Sequence, residues 1–298
     1  MPEGPEVRRY ADALHNSLAG QRLASLTART RAAKAFLAER PGVFAGCKVV
    51  RVRSRGKNLV GEVEGSLFFY AHLMMWGRWQ VADIDPDAPP DKKERARITT
   101  EGGQAAILFS APVFEVGEGT PYEAIPYLAQ LGPDILPYQD DGPFDKAEFL
   151  RRLTVEENRD REIGAVLLDQ TVAAGIGNYL RAEILFACRL SPFRTVSALT
   201  DDELSHLAQI VPDLSRRAYE TGGVTVTPDE QARMQSDRTL IYPNGSPVWG
   251  SRHYVFRRTN LPCLVCGTGI KQKRQVTRIL DDGAEKERIV FFCPVCQS

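Results

Sequence analysis

The chain has 298 residues, of which 43% are hydrophobic and 26% are charged, and its formal net charge is zero. These are ordinary values for a soluble globular protein that can bury the cores of two modest domains without disulfide staples. No run reaches the roughly eighteen consecutive apolar residues of a membrane span, and acidic residues near the N-terminus argue against a secretory signal peptide. We therefore expect a cytoplasmic protein with no membrane contact.

Basic residues are concentrated in two parts of this neutral chain. Residues 41–61 contain five Lys or Arg and no acid, and residues 252–298 contain nine Lys or Arg against four Asp or Glu. The acid-rich segment 81–145 balances them. Such local patches suit a polyanion that is held along one face, although each patch alone is equally typical of a solvated surface.

The first predicted element is a helix that begins near Pro5, where a missing N–H costs nothing, and ends at Gly20. Its apolar residues recur at helical spacing: Val7, Tyr10, Ala11, Leu14 and Leu18. From 21 to 115 the pattern changes to short β-like runs separated by Gly and acidic turns, which is typical of a sandwich or barrel. The clearest runs are 49–53, 59–63, 67–70, 78–81 and 106–109, and the composition of 83–91 predicts a loop.

Beyond residue 122 the chain carries apolar stripes of helical period. They predict helices over 145–153, 163–174, 179–188 and 201–221. Residues 222–251 are rich in Gly, Pro, Ser and Asp and predict a long loop without regular structure. We thus predict an α+β protein in three segments: an N-terminal helix plus β-sandwich over 1–120, a helical domain ending in the long loop over 121–251, and a cysteine-containing hairpin over 252–298.

Four of the six cysteines form two C-x-x-C pairs, Cys263 with Cys266 and Cys293 with Cys296. Each pair can supply two thiolates to one edge of a zinc tetrahedron. The 26 residues between the pairs contain β-like runs at 276–280 and 288–292 around a turn at 281–283, and such a hairpin would bring the pairs together. Four thiolates leave no open coordination position, so we predict one structural zinc ion that supplies much of the folding free energy of the hairpin.

The chain begins with Met1, Pro2 and Glu3, and a small second residue favours removal of Met1. The exposed Pro2 amine would titrate near ~8, against ~10.4 for Lys, so roughly a tenth or more is free base at neutral pH. Such an amine can attack an electrophilic sugar carbon to form an iminium ion, and Glu3 could move protons on the sugar oxygen. If Met1 stays attached, Pro2 is an amide and cannot react. The alternative is that Pro2 and Pro5 only mark a helix start.

Five segments, in the same order and across essentially the whole chain, resemble one known family. They are MPEGPEVRR, RGKNLV, LGPDIL, DQTVAAGIGNYLRAEILF and the two C-x-x-C pairs. The family is the formamidopyrimidine-DNA glycosylase/endonuclease VIII family, and the N-terminal and GIGNYLR segments are more similar to the endonuclease VIII branch. The resemblance implies a helix-two-turn-helix domain, a zinc-ribbon hairpin, and a monomer that binds damaged double-stranded DNA.

The implied activity is that of a bifunctional glycosylase and AP lyase of base excision repair. Pro2 would attack the anomeric carbon and displace the damaged base, and β- and δ-elimination would then cut the strand on both sides of the lost sugar. Glu3 would be the general acid and base.

Three further residues match functional positions of the family. Lys57 matches the essential lysine near the sugar, which is credited with proton donation in β-elimination. Arg288, five residues before Cys293, matches the zinc-hairpin arginine that grips phosphate and is implicated in δ-elimination, and a guanidinium suits bidentate phosphate contact. Asn178 matches the helix-two-turn-helix asparagine that binds phosphate beside the lesion. Without the family, a solvated turn lysine and ordinary helix caps would be preferred.

An enzyme that acts on a base must extrude it and fill the gap. Large apolar side chains can wedge between base steps, and Met74, Met75 and Trp76 align with the three residues that do so in the endonuclease VIII branch. The alternative is that they form a buried strand end.

The chain also departs from the endonuclease VIII pattern. Met74 replaces a polar Gln, and Glu118 stands where that branch has a DNA-contacting Arg. The zinc spacer and the segment 222–251 are longer than expected, and the latter resembles in position the loop that caps the base in the purine-repair branch. Conversely, the Arg and Phe pair by which the purine branch fills the void is not found in 98–116.

These observations favour a glycosylase/AP lyase acting on oxidised pyrimidines. The first alternative is an oxidised-purine (formamidopyrimidine or 8-oxoguanine) glycosylase of the same fold. The second is a non-catalytic zinc-ribbon DNA-binding protein. An RNA-binding zinc-ribbon protein has less support, because no interleaved aromatic stacking platform is evident.

Overall fold

The computed structural model describes residues 2–83 and 89–297. Met1 and the greater part of the predicted loop, 84–88, lie outside these described residues. The chain divides into two compact units, Met1–Leu131 and Gly132–Ser298. The cysteine hairpin therefore belongs to the same unit as the helical domain, and the finer division into three segments stays a prediction.

The described part of the first unit contains four helices and eight strands. They are α1 Gly4–Leu18, β1 Leu23–Ala28, α2 Arg31–Glu39, β2 Val49–Arg55, β3 Asn58–Val63, β4 Leu67–His72, β5 Arg78–Asp83, β6 Glu94–Thr100, β7 Gln104–Phe109, β8 Val113–Glu118, α3 Pro121–Ala124 and α4 Pro126–Gln130. The helix α2 was not predicted. Its sequence, rich in Ala with Lys, Leu and Glu, has high helix propensity, which outweighs its position among strands.

Two antiparallel four-stranded sheets form the predicted sandwich. Their strand orders are β1-β6-β7-β5 and β2-β3-β4-β8. An aromatic cluster joins them, because Trp79 of the first sheet lies 6.4 Å from Phe69 and 6.1 Å from Phe114 of the second, measured between ring centroids. Gly61 is required beneath this cluster, since a Cβ there would lie 2.0 Å from the Phe69 ring.

The second unit contains, over its described residues, six α-helices, four short 3-10 turns and one hairpin. The helices and strands are α5 Lys146–Leu153, α6 Ile163–Val166, α7 Asn178–Ala187, α8 Asp201–Glu220, α9 Pro228–Ser236, α10 Pro247–Gly250, β9 Lys271–Ile279 and β10 Glu285–Phe292. The α+β fold with a C-terminal cysteine hairpin is thus confirmed. The hairpin strands are longer than predicted and pair antiparallel, with Arg288 opposite Gln275.

Two predictions about this unit were wrong. The helix predicted over 163–174 ends at Val166. The chain continues in tighter turns, in which Leu168 donates to Ala165 and Asp169 to Val166, and the N–H of Ala174 donates to the carbonyl of Pro133 (2.9 Å). The segment 222–251 is not a structureless loop, since it contains α9, a 3-10 turn at Arg238–Leu240, and α10. Thr227 caps α9 by accepting a bond from Glu230, and Met234 anchors it in a small apolar cluster.

Candidate active site and nucleic-acid interface

Pro2 lies directly before the first turn of α1. Glu3 is the N-cap residue of this helix and forms a capping box with Glu6, whose carboxylate accepts the backbone N–H of Glu3 (2.9 Å). Glu3 is only 2% exposed. The sequence therefore fixes both candidate catalytic residues at a capped helix end rather than on a frayed terminus.

Lys57 occupies the two-residue turn between β2 and β3, with Gly56 at a φ of 56°, a conformation that glycine adopts without strain. The buried Asn58 locks this turn. Its amide donates to the carbonyl of Arg55 (2.9 Å), and its side-chain carbonyl accepts the hydroxyl of Tyr70 (2.8 Å). Burial raises the pKa of Tyr70, so this hydroxyl remains a donor.

His72 is a functional candidate that the motif analysis missed. It pairs with Asn58 across β3 and β4. Burial, and next the positive charge of Lys57, lower its pKa. A neutral imidazole fits its observed contact, because its Nδ1 accepts the backbone N–H of Met74 (3.2 Å). The structure thus brings Lys57, His72 and the backbone of Met74 together within the first unit.

The loop 74–76 is exposed, and it is called the wedge loop here after its predicted role. The exposed fractions of its side chains are 46%, 57% and 76% in chain order. Met74 has a φ of 53°, and the N–H of Gly77 closes the turn on the carbonyl of Leu73 (2.8 Å). The alternative of a buried strand end was wrong. The loop instead presents three large apolar side chains to solvent.

In the second unit, Asn178 is the first residue of α7, and a fully buried arginine positions it. Arg181 is 0% exposed and donates to the side-chain carbonyl of Asn178 (2.6 Å) and to the backbone carbonyl of Ile289 (3.0 Å). It also donates to the carbonyl of Gly164 (3.1 Å) and the side chain of Gln275 (2.9 Å). Four acceptors offset the cost of burying this cation.

Asn178 and the strand that carries Arg288 therefore lie together. The Asn178 amide donates to the carbonyl of Ile289 (3.0 Å), the residue that follows Arg288. The Arg288 side chain is exposed and donates to the carbonyl of Glu287 (3.3 Å). The Asn178 amide is thus anchored to the residue next to Arg288, whose guanidinium faces solvent.

The four cysteines of the two C-x-x-C pairs form one cluster, in which all four sulfur atoms lie within 4.8 Å of one another. The Sγ atoms of Cys263 and Cys296 are 3.9 Å apart, and those of Cys266 and Cys293 are 3.4 Å apart. This cluster could hold one metal ion. Gln297 connects the cluster to the helical core. Its side chain accepts the N–H of Cys293 and donates to the carbonyl of Leu190, and both hydrogen bonds are 2.9 Å long.

A second buried residue of α7, Glu183, holds the chain that leads into the hairpin. Its carboxylate accepts the consecutive backbone N–H groups of Tyr254, Val255 and Phe256 over 2.8–2.9 Å. It also accepts the hydroxyl of Thr225 (2.6 Å). Arg181 and Glu183 were missed because their partners are distant in sequence. The spacing of Asn178 and Arg181, three apart on one helical face, was the available signal.

Beside Glu183, the ring of His253 packs against Tyr179 and Phe256, with centroids 5.3 and 5.4 Å away. The pKa of His253 is lowered to about 4, chiefly by burial; the charge of Glu183 opposes this shift and the positive charges of neighbouring arginines add to it. This histidine is therefore neutral in the folded protein near pH 7.

Comparison with known proteins assigns the chain to a family. Residues 1–111 match the formamidopyrimidine-DNA glycosylase N-terminal domain, and residues 131–229 match the formamidopyrimidine-DNA glycosylase H2TH domain. The chain belongs to the formamidopyrimidine-DNA glycosylase/endonuclease VIII family. It is accordingly a DNA glycosylase and AP lyase of base excision repair, and the non-catalytic alternative is wrong.

Relatives of this glycosylase match over the full length. Endonuclease 8 of Klebsiella pneumoniae subsp. pneumoniae is 30% identical over 297 residues, and Endonuclease 8 of Pectobacterium carotovorum subsp. carotovorum is 30% identical over 298 residues. Both alignments cover all of both chains. The predicted resemblance to the endonuclease VIII branch is confirmed.

Solved structures have the same fold. The Lactococcus lactis Fpg protein in complex with DNA containing an abasic site superposes with a TM-score of 0.74 at 23% identity, covering 99% of each chain. The MutM (Fpg) protein of Thermus thermophilus superposes with a TM-score of 0.70 at 29% identity, covering 99% of this chain and 98% of that one. Over the described residues, the glycosylase has no helix long and apolar enough to cross a bilayer.

Proposed function

We propose that this glycosylase removes oxidised pyrimidines from duplex DNA, with the Pro2 amine as its nucleophile. The choice of oxidised pyrimidines rests on a contrast between two stretches of the first unit. Residues 98–116 contain no Arg, and their two phenylalanines, Phe109 and Phe114, are buried. This stretch therefore offers no Arg and Phe pair to fill the gap left by an extruded base, whereas the wedge loop is exposed.

Catalysis begins at the N-terminus once Met1 is removed. The free amine of Pro2 attacks the anomeric carbon and the bond to the damaged base breaks. The bond from this carbon to the ring oxygen then breaks as the oxygen takes up a proton, which leaves an iminium ion on the opened sugar. Glu3 moves protons during this step. The capping box supports these roles, because it holds Glu3 and the residue before it in one backbone conformation.

Elimination then cuts the strand on both sides of the lost sugar. Lys57 donates a proton during β-elimination, and the turn locked by Asn58 and Tyr70 fixes its backbone. The lowered pKa of His72 keeps its imidazole neutral beside Lys57, so it adds no second positive charge there.

The second unit binds the DNA backbone in this proposal. A side-chain amide carries two N–H groups, and only one is needed for the bond from Asn178 to Ile289. The other, together with the backbone N–H groups at the start of α7, suits a phosphate oxygen. Arg288 supplies a guanidinium for a second phosphate and promotes δ-elimination.

Zinc is the metal that best fits the cysteine cluster. A tetrahedral zinc–thiolate centre with bonds of about 2.3 Å separates its sulfurs by roughly 3.8 Å, close to the 3.9 and 3.4 Å of the two sulfur pairs. Cys263, Cys266, Cys293 and Cys296 would hold it. With its coordination filled, the ion supplies structure rather than catalytic chemistry, and it fixes the hairpin that carries Arg288.

Borohydride trapping tests the proposal. Protein verified by mass spectrometry to lack Met1 is incubated with duplexes that carry either thymine glycol or 8-oxoguanine, and the reduced adduct is mapped by peptide sequencing. We expect an adduct at Pro2 that forms faster on thymine glycol. The matched control is the same chain with Met1 retained, in which the Pro2 nitrogen is an amide and no adduct should form.

The outcomes separate the alternatives. Faster trapping on 8-oxoguanine would keep the chemistry and favour the oxidised-purine alternative. An adduct at a lysine rather than Pro2, or none on either lesion or on an abasic site, would contradict the proposed nucleophile.

A further inference from the structure

The methionines of the described residues differ sharply in exposure. Met74 and Met75, in the wedge loop, are 46% and 57% exposed, whereas Met234 is 0% exposed within the apolar cluster beneath α9. Oxidation of a thioether requires access of the oxidant to sulfur, so susceptibility follows exposure. The chain therefore presents two adjacent reactive sulfurs at one surface loop and keeps a third protected.

The loop backbone holds these two side chains outward. The turn is closed by the bond from Gly77 to Leu73, and Leu73 is buried. A Cβ at Gly77 would lie 2.4 Å from the Leu73 carbonyl oxygen, so the chain passes itself very closely at this point. Retreat of Met74 or Met75 into the core would require opening this turn.

We propose that Met74 and Met75 form an oxidation-sensitive site through which a peroxide weakens the grip of the enzyme on damaged DNA. This inference rests on the proposed function, because it assigns regulation to the wedge loop. The modification is conversion of each thioether to a sulfoxide, a two-electron change that thiol-dependent methionine sulfoxide reductases reverse.

The chemistry is a transfer of one oxygen atom. The sulfur lone pair attacks a peroxide oxygen, the O–O bond breaks as the S–O bond forms, and the departing hydroxide takes up a proton and leaves as water. Sulfur is oxidised by two electrons and the peroxide is reduced by two. The product carries a strong acceptor in place of an apolar sulfur, and inserting it between bases would bury that acceptor without a donor.

The test treats metal-loaded protein with hydrogen peroxide and follows each methionine by peptide mass mapping. We expect one added oxygen on Met74 and on Met75 while Met234 is unchanged. The affinity for a duplex that contains an abasic-site analogue should fall about tenfold, and should return after incubation with a methionine sulfoxide reductase and a thiol. The double variant M74L/M75L receives the same treatment, and each protein is compared with its own untreated sample, so the basal effect of leucine cancels.

Several results would overturn the proposal. One is oxidation of Met234 at the same rate as the loop methionines. Another is unchanged affinity with both sulfoxides present. A third is an equal peroxide-induced loss in M74L/M75L, which would place the damage elsewhere, such as at the cysteine cluster, whose metal content is measured in parallel. Trapping by the untreated enzyme is scored separately, so failure of the catalytic proposal is distinguishable from failure of this one.

Discussion

The guanidinium of Arg181 donates to the side-chain carbonyl of Asn178 over 2.6 Å, and the same nitrogen donates to the backbone carbonyl of Ile289. Because the Asn178 amide nitrogen also bonds to Ile289, one buried cation fixes both the orientation of the amide and its distance from β10. The order of this surface therefore depends on a residue that solvent does not reach.

Replacing Arg181 with Met should be severely destabilising, because the acceptors on Gly164, Gln275 and Asn178 lose the donor that Arg181 supplies. We expect the free energy of unfolding to fall by about 3 kcal/mol, measured by urea denaturation, together with weaker DNA binding. Arg159→Met is the matched control, since Arg159 is an exposed arginine with a surface ion pair to Glu156, and its effect should stay within about 0.5 kcal/mol. Similar losses in both variants would contradict the positioning role.

His253 should make the protein sensitive to acid. Its pKa is 6.5 when unperturbed and about 4 in the folded protein, so the unfolded chain takes up a proton first as the pH falls. The stabilisation is complete above pH 6.5 and is lost progressively towards pH 4, by about 3 kcal/mol. Urea denaturation across this range should show a shallower pH dependence for His253→Phe than for the wild type. His206→Gln, at an exposed position, should leave the slope unchanged, and an unaltered slope in His253→Phe would refute the assignment.

Gly77→Ala should disturb the wedge loop. The added Cβ would meet backbone atoms of Leu73 at 2.4 and 2.8 Å, so the turn must open, at a cost of about 1–3 kcal/mol. We expect reduced thermal stability and weaker binding of an abasic-analogue duplex. At Gly102 a Cβ would approach nothing nearer than 3.8 Å, so Gly102→Ala serves as the control and should behave as wild type. Normal lesion binding by Gly77→Ala would show that the loop conformation is not needed.

Removal of the metal should abolish DNA binding and borohydride trapping together, because the hairpin that carries Arg288 depends on the cysteine cluster for its fold. Chelator treatment should release one zinc ion per chain, and zinc readdition should restore both activities. Cys263→Ser should behave like the chelated protein. Cys47→Ser, at a cysteine outside the cluster, should bind metal normally. Retained DNA affinity after complete metal loss would separate the hairpin from DNA binding.

The sequence predicted best those features that depend on short-range patterns. The C-x-x-C spacing predicted correctly that the four sulfurs lie together, because each pair forms a local turn and one hairpin connects the two pairs. Five of the eight described strands of the sandwich were named from alternation and turn residues, whereas β1, β6, β8 and the helix α2 were not. The prediction of a helix over 163–174 was wrong at its C-terminal end, where Gln170 and Ala174 bond to residues 132–135, a long-range contact that no local pattern reveals.

The supporting residues of the site were beyond such reasoning for the same physical cause. Arg181 bonds to Gln275 and Glu183 bonds to Tyr254, each pair far apart in sequence. The apolar residues of α7 indicate that this helix is buried on most sides. They do not indicate that two of its buried residues are charged and form hydrogen bonds to backbone groups far away in the sequence. His72 was overlooked because its relation to Lys57 arises from the register of β3 and β4.

The carboxylate of Glu183 also has a consequence for how members of such a family can diverge. One of its oxygens receives both the Thr225 hydroxyl and the Tyr254 N–H, so the two ends of the intervening segment meet at a single atom. The length and surface of a loop held in this way can change while both of its ends stay attached to α7. Segments of other lengths could therefore be grafted between Thr225 and Tyr254 while α7 stays unaltered.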